Sequence, residues 1–335
     1  MSHTNSMETL FNICGCGEFL FRTHIKLKGI SICLHFLNKN AKGVFSRPFS
    51  HLEIETDGDP EFDIYVMHGG PSSEPIDGWK RFERDASEER KLLIFSNDGK
   101  HILYNYESKV LSGYDSQNKK AYYYIPNLDI LPFYEKAAPM RMIFHHFAQD
   151  YGMILVHGAA IAIDGHGILM AGKGGSGKTT TAICAALRGF DYLGDDYVIL
   201  DTDDKIIYSL YSSCKIRWDS EELLPELASF AVNTRNEDKG YFFMNEINGR
   251  IRKSIRLYVV VIPQIGGDES SYLKTGGINA LRVLSSSTIF QMPGSGRTTL
   301  HNISKAIRNV PAYEMILSSC PEEINKRLTE LVKGI

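Results

Sequence analysis

The segment from Gly172 to Thr179, GKGGSGKT, has the residue types and spacing of a phosphate clamp. In the pattern G-x-x-x-x-G-K-[ST], successive backbone N–H groups close on phosphate oxygens, a lysine reaches the outer phosphates and a hydroxyl ligates Mg²⁺. Here Gly172, Gly174, Gly175, Ser176 and Gly177 supply the cradle, Lys178 the cation, and Thr179 and Thr180 the hydroxyls that follow. Two adjacent carboxylates, Asp195 and Asp196, lie downstream in LGDDYVIL. Beside a phosphate loop, such a pair can hold Mg²⁺ or accept a proton from an attacking hydroxyl. His157-Gly158 precedes the loop. Its distance from the phosphates is a matter of strand register.

These residues need elements to position them. The apolar run 167–171 reads as a strand entering the loop, and TTAICAALR after it has helix-forming composition, so the loop meets a helix N-terminus that favours an anion. Asp164-Gly165 between two apolar runs predicts a hairpin whose first arm carries His157. Arg188-Gly189 should end the helix. Further strands are expected at 206–211 and 257–262, then helices over 277–291 and 300–308, a strand at 312–318 and an amphipathic helix over 321–333. Lys215, Arg217, Lys239 and Arg256 lie within or beside strands, and one or two of them are expected to contact phosphate or substrate. The loop Pro293-Gly-Ser-Gly-Arg297-Thr-Thr299 echoes the phosphate loop, but its spacing fails and arginine replaces lysine, so it reads as a connection.

Residues 1–125 read as a β-rich lobe, with strands expected at 18–21, 30–37, 62–66, 91–95, 101–106 and 121–125. Turn chemistry separates them at 57–60, at Gly69-Gly70-Pro71 and at Asn97-Asp98-Gly99, the last a hairpin. From Pro126 the character changes, and residues 126–335 read as the catalytic part, beginning with a helix near 140–148. His145 and His146 are neighbours on that helix and point about 100° apart, so they are not expected to share a ligand.

The 335 residues are 43% hydrophobic and 23% charged, the composition of a globular chain of about two domains. A net charge of -3 gives no footprint for nucleic acid. No uncharged apolar run approaches the ~18 residues of a membrane span, and the first residues lack the pattern of a signal peptide, so a cytoplasmic protein is expected. Six cysteines are too few for a disulfide scaffold. Cys14 and Cys16 form a C-x-C pair without a second cluster, and Cys33, Cys184, Cys214 and Cys320 stand singly; all read as buried or adventitious thiols and no structural metal is expected.

His157-Gly158, the Asp-Gly hairpin, GKGGSGKTTTA and LGDDYVIL, in this order and at these intervals, resemble the catalytic core of the HPr serine kinase/phosphorylase family. The resemblance covers residues 150–201 firmly and the C-terminal pattern more loosely. It implies an α/β fold with a P-loop kinase core of the HPr kinase/phosphoenolpyruvate carboxykinase type. The implied activity is ATP- and Mg²⁺-dependent transfer of the γ-phosphoryl group to a serine hydroxyl. By the same resemblance residues 172–177 hold the β-phosphate region, Lys178 neutralises developing charge and Thr179 ligates Mg²⁺. Asp195 and Asp196 share the base and metal roles, and His157 orients them or the phosphate. The family's E-[IV]-R-G-[LI]-G segment has no counterpart here; SLYSSCKIRWDS stands in the nearest region. The chain is therefore more similar to stand-alone relatives that modify precursor peptides, such as lasso-peptide kinases acting on a C-terminal serine. A peptide or protein with an acceptor serine is the expected partner, with no nucleic acid and no membrane, and a homo-oligomer is compatible. The alternatives are a kinase of free serine or another small alcohol, and a nucleotide-binding regulator.

Overall fold

Turn chemistry and apolar alternation set the first sheet. The computed structural model describes residues 18–56, 58–69, 92–217, 227, 230–232, 239–247, 250–292 and 296–335. The Cys14/Cys16 pair, Asp57, Gly70-Pro71, Lys91, residues 218–220 and the centre of the Arg297 loop at 293–295 lie outside them. The chain divides into two compact units, Met1–Asp150 and Tyr151–Ile335.

In the first unit the order is β1 (Phe21–Leu27), β2 (Ile30–Phe36), α1 (Lys39–Ser46), a 3₁₀ turn (Arg47–Leu52), β3 (Phe62–His68), β4 (Leu92–Asn97), β5 (Lys100–Asn105), β6 (Val110–Asp115), β7 (Lys120–Ile125), α2 (Phe133–Ala137) and α3 (Arg141–Asp150). The strands form one sheet in the order β1-β2-β3-β7-β6-β5-β4. Its two inner pairings, β2 with β3 and β3 with β7, are parallel, and the others are antiparallel. The hairpin expected at Asn97-Asp98-Gly99 joins β4 to β5.

The first strand begins at Phe21 rather than Glu18. Alternation explains the shift: Ile25 and Leu27 are buried while Arg22 and Lys26 of the same strand are not. Strand β6 and helix α1 were not legible. VLSGYD carries Ser and Gly where a strand signal wants branched residues, and α1 is a short helix whose start is fixed by the Asn38 side chain accepting the Ala41 N–H. Residues 126–150, expected with the second part, pack in the first unit, because Phe144 meets Phe49 and Phe147 meets Phe62.

The second unit runs β8 (Met153–His157), β9 (Ala159–Ile163), β10 (His166–Met170), α4 (Lys178–Leu187), β11 (Asp191–Gly194), β12 (Tyr197–Asp201), β13 (Ile206–Tyr208), β14 (Ser213–Arg217), β15 (Lys239–Phe243), β16 (Ser254–Ile265), β17 (Ser271–Thr275), α5 (Gly277–Gln291), α6 (Gly296–Ile307), β18 (Ala312–Leu317) and α7 (Pro321–Gly334). Nine strands make one sheet, β11-β9-β10-β16-β13-β12-β8, with β18 also on β16 and β17 on β18; β14 and β15 pair separately. The expected Asp164-Gly165 hairpin joins β9 to β10, with φ of 51° and 82° at its two central residues. Strand β17 escaped the sequence because most of its side chains are exposed and supply no apolar pattern.

Both faces of this sheet are covered, which is why β9, β10 and β16 read as nearly continuous apolar runs. Ala160, Ala162, Leu169 and Val260 face a core with Leu284 of α5 and Ile303 of α6. Ala159, Ile161, Ile168, Met170, Val259 and Val261 face the opposite core, with Ala182 and Ala185 of α4 and Leu328 and Leu331 of α7. The result is a three-layer α/β arrangement around the twelve-residue β16. Among the described residues no helix is long and apolar enough to cross a membrane.

The strand that feeds the phosphate loop depends on one close approach. A Cβ at Gly167 would stand 2.6 Å from the Arg256 carbonyl oxygen and 2.7 Å from Ile255 Cγ2, where the β10–β16 register shifts. Gly167→Ala is expected to lower stability by about 1–3 kcal/mol through overpacking against backbone. Urea denaturation checks it; an unchanged midpoint would mean that β16 can step aside.

Candidate functional site

The loop between β10 and α4 takes its shape from left-handed backbone. Gly175 and Gly177 have φ of 79° and 99°. A Cβ at Gly177 would also lie 2.5 Å from Leu317 Cδ1, so both conformation and space demand glycine at the residue that caps α4. Gly172 starts the loop, Gly174 is exposed, and Thr180 is half-buried in the first turn of α4. Lys178 is buried and folds back along the loop, donating to the carbonyls of Gly172 at 2.8 Å and Lys173 at 3.1 Å. Burial lowers its pKa, against the opposing charges of Asp195 and Asp196.

The carboxylates come from the turn between β11 and β12. Asp196 sits at φ 62°, and the Tyr197 N–H donates to the Asp195 carbonyl at 2.7 Å, closing a γ-turn with Asp196 at its centre. A non-glycine residue held there stores roughly 1–3 kcal/mol of strain, a feature that clusters at functional sites. The Gly158 N–H donates to the Asp196 carbonyl at 3.0 Å and anchors the turn to the end of β8. The same turn aims the two side chains at different partners.

Asp195 is buried and accepts from the Thr179 hydroxyl at 2.7 Å and from the Lys215 N–H at 3.2 Å. Asp196 accepts from the Lys215 ammonium at 2.8 Å through Oδ2, and its Oδ1 stands 3.7 Å from His157 Nε2. Burial and the Asp196 charge push the Asp195 carboxyl up to about 6. Burial also acts to raise Asp196, but the Lys215 ammonium and His157 overcome it and hold this carboxyl well below the usual range. His157 is fixed by its backbone: its N–H donates to Thr288 Oγ1 at 3.0 Å, and its carbonyl accepts from Ser287 Oγ at 3.3 Å. Register explains its place, because β8 pairs His157 with Tyr197, the residue after the acidic pair.

Every residue of the expected site therefore falls in one corner of the second unit, from the phosphate loop to His157. Lys215 completes it. The sequence marked Lys215 only as one of four cations near strands; its role follows from β14, which lays its backbone against Asp195 and its ammonium against Asp196. Of the other three, Lys239 on the neighbouring strand β15 adds positive charge felt by Lys178. His145 is buried beside Gln149 and His146 stacks on His101 at 3.9 Å, with the His145 and His146 rings in edge contact at 5.2 Å.

A cavity of about 1060 Å³ opens beside the loop, lined by Gly172–Ser176 together with His157, Gln264, Arg282, Ser287 and Phe290. Phosphate suits the loop on an observation of its own: Ser176 Oγ is buried without a hydrogen-bond partner. Lys178, meanwhile, places two of its three donors on loop carbonyls. Thr179 Oγ1 and the Asp195 carboxylate present hard oxygen donors together, the set that Mg²⁺ takes.

No protein-family model matches the chain, and no curated protein matches it in sequence. Among solved structures, the Hpr(Ser) kinase/phosphatase from Coxiella burnetii aligns with a TM-score of 0.31 at 11% identity, over 54% of this chain and 97% of that one. A superposition this loose carries no functional conclusion.

The split acidic pair has a measurable consequence. Asp195 binds its proton more tightly in the folded chain than at its ordinary value of 3.8, so the stability it contributes is full below about pH 4 and lost as pH rises through about 6. Asp196 is shifted the other way and titrates below this window. Asp195→Asn keeps both hydrogen bonds, since the Thr179 hydroxyl can accept as well as donate, and removes the buried charge. The variant is expected to gain about 1–3 kcal/mol over the native chain at pH 8 and clearly less at pH 5. Denaturation at the two pH values checks this; a gain that does not grow with pH would remove the assignment.

Proposed function

We propose that the chain is an ATP- and Mg²⁺-dependent phosphotransferase that moves the γ-phosphoryl group to a serine hydroxyl of a peptide or protein. The observation that carries this reading is the division of labour between successive carboxylates beside a phosphate loop. Asp195 is tied to the loop through Thr179, and Asp196 is directed instead to Lys215 and His157. A nucleotide-binding module needs the first arrangement; only transfer to a second substrate needs the other.

In this reading residues 172–177 and the Lys178 ammonium bind the phosphates, with Ser176 Oγ as a further donor. Thr179 and Asp195 hold the metal, which supplies charge neutralisation on the transferring group. Asp196 is the general base. Its Oδ2 is occupied by Lys215, whereas Oδ1, at 3.7 Å from His157 Nε2, has room to accept the proton of an acceptor hydroxyl. His157 steadies that oxygen, and the backbone bonds to Ser287 and Thr288 steady His157. The protein performs no covalent step of its own, so orientation and fixed charge supply the rate enhancement. A peptide acceptor is supported by the rim of the cavity, where Phe290 is 85% exposed and Ile265 67%, apolar surface suited to a side chain beside the reacting serine.

The test is intact-mass spectrometry of serine-containing peptides incubated with the chain, Mg²⁺ and ATP. One added phosphate on serine is expected. Lys178→Ala and Asp196→Asn should each slow transfer by roughly 10²–10⁴-fold, and Asp196→Asn should retain nucleotide binding. Full activity in Asp196→Asn would remove the base assignment. ATP turnover with free serine but with no peptide would replace the acceptor class.

A further inference from the structure

The first unit carries a cluster that the phosphate chemistry does not use. On β2, Cys33 and His35 are two residues apart and point to one face of the sheet, opposite to Ile32, Leu34 and Phe36. Strand pairing sets His24 of β1 and Asp63 of β3 directly beside Cys33, on either side of it. A ligating atom from each of Cys33, His35 and Asp63 lies within 4.8 Å of the others. His35 Nε2 and Asp63 Oδ1 are 2.6 Å apart, and Cys33 Sγ is 3.7 Å from His24 Nε2.

We propose that Cys33, His35 and Asp63, with His24 as fourth donor, form a binding site for a divalent transition ion of the zinc type. One thiolate, two imidazoles and one carboxylate are a borderline-soft set that selects zinc over Mg²⁺ or Ca²⁺. Four ligands at about 2.0–2.3 Å from a tetrahedral ion stand roughly 3.3–3.8 Å from one another. Cys33, His35 and Asp63 already lie near this spacing, and His24, 3.7 Å from Cys33, completes the set by swinging its side chain toward the other two. The supporting shell is also present. His35 stacks on Tyr65 at 4.6 Å, with Phe19 packed edge-on against both rings, which fixes the imidazole plane. Asp63 keeps 31% of its side chain exposed and gives the ion a way in.

The proton balance is simple. Binding releases the Cys33 proton to solvent and leaves His35 neutral, with its remaining proton on Nδ1 and the Nε2 lone pair on the ion. The His35–Asp63 hydrogen bond is exchanged for two bonds to the metal.

The test uses the full chain, stripped with chelator and then titrated with Co²⁺ and with Zn²⁺. A thiolate-to-cobalt charge-transfer band and tetrahedral visible bands are expected, bleached by Zn²⁺, with about one zinc retained per chain. Cys33→Ser should lose the charge-transfer band, and His35→Gln and Asp63→Asn should each weaken zinc at least about tenfold. Asp63→Asn keeps a hydrogen bond to His35 and guards against loss of fold, which circular dichroism checks. Lys178→Ala should bind zinc as the native chain does, because the phosphate loop is not involved. Failure to retain zinc, a band that survives Cys33→Ser, or unchanged affinity in both His35→Gln and Asp63→Asn would overturn the site and leave a His–Asp hydrogen bond beside a core thiol.

Discussion

Two carboxylates on successive residues cannot both stay ionised in a buried corner without help, because their repulsion and their desolvation act in the same direction. The site resolves this by separating their surroundings. Asp195 receives a hydroxyl and a backbone N–H and is left with a raised pKa; Asp196 receives the Lys215 ammonium and stays charged. A single turn at φ 62° makes the separation possible, since an ordinary extended step would not close the Tyr197–Asp195 hydrogen bond that directs the two side chains. The whole corner is organised around one strained residue and one lysine.

That arrangement makes demands on distant parts of the chain. Asp196 is anchored through Gly158, so β8 and the start of β9 must lie against the turn. A Cβ on Gly158 would stand 2.8 Å from the Met170 carbonyl, which ties the same point to the strand feeding the phosphate loop. Lys215 arrives on β14, a strand outside the nine-stranded sheet, and Thr288 and Ser287 arrive on α5. Separate stretches of chain thus meet at the acidic turn and at His157 beside it, and the two apolar cores on either side of the sheet hold them in register.

What could be read from the sequence was what is local in it. The phosphate loop lies within eight residues, its glycines and lysine have fixed duties, and Asp164-Gly165 announces the hairpin that delivers it. His157 was legible as a candidate, but its nearness to Asp196 depends on β8 pairing with β12. Lys215 could not be told from Arg217 or Arg256 by type or position, because pairing of β14, not spacing, decides which cation reaches a carboxylate. Cys33 illustrates the same limit more sharply. As a lone cysteine it reads as a core thiol, and only the alignment of β1, β2 and β3 sets His24, His35 and Asp63 around it. Strand β6 was invisible for a different reason, since its position is settled by its neighbours β5 and β7 rather than by intrinsic preference.

The two lysines of the site share a further property that bears on how the proposed reaction is controlled. Lys178 rests on the carbonyls of Gly172 and Lys173, and Lys215 rests on Asp196, so both cations are engaged by the protein itself. Phosphate oxygens are stronger partners for an ammonium than neutral carbonyls, so Lys178 has a favourable exchange available with a nucleotide. Lys215 differs, because its partner is a carboxylate and the ion pair is what holds the Asp196 carboxyl down. In the proposed reaction, the negative charge of a bound donor would act against that ammonium and raise the proton affinity of Asp196, so the carboxylate proposed as base would be stronger with a donor bound than without one.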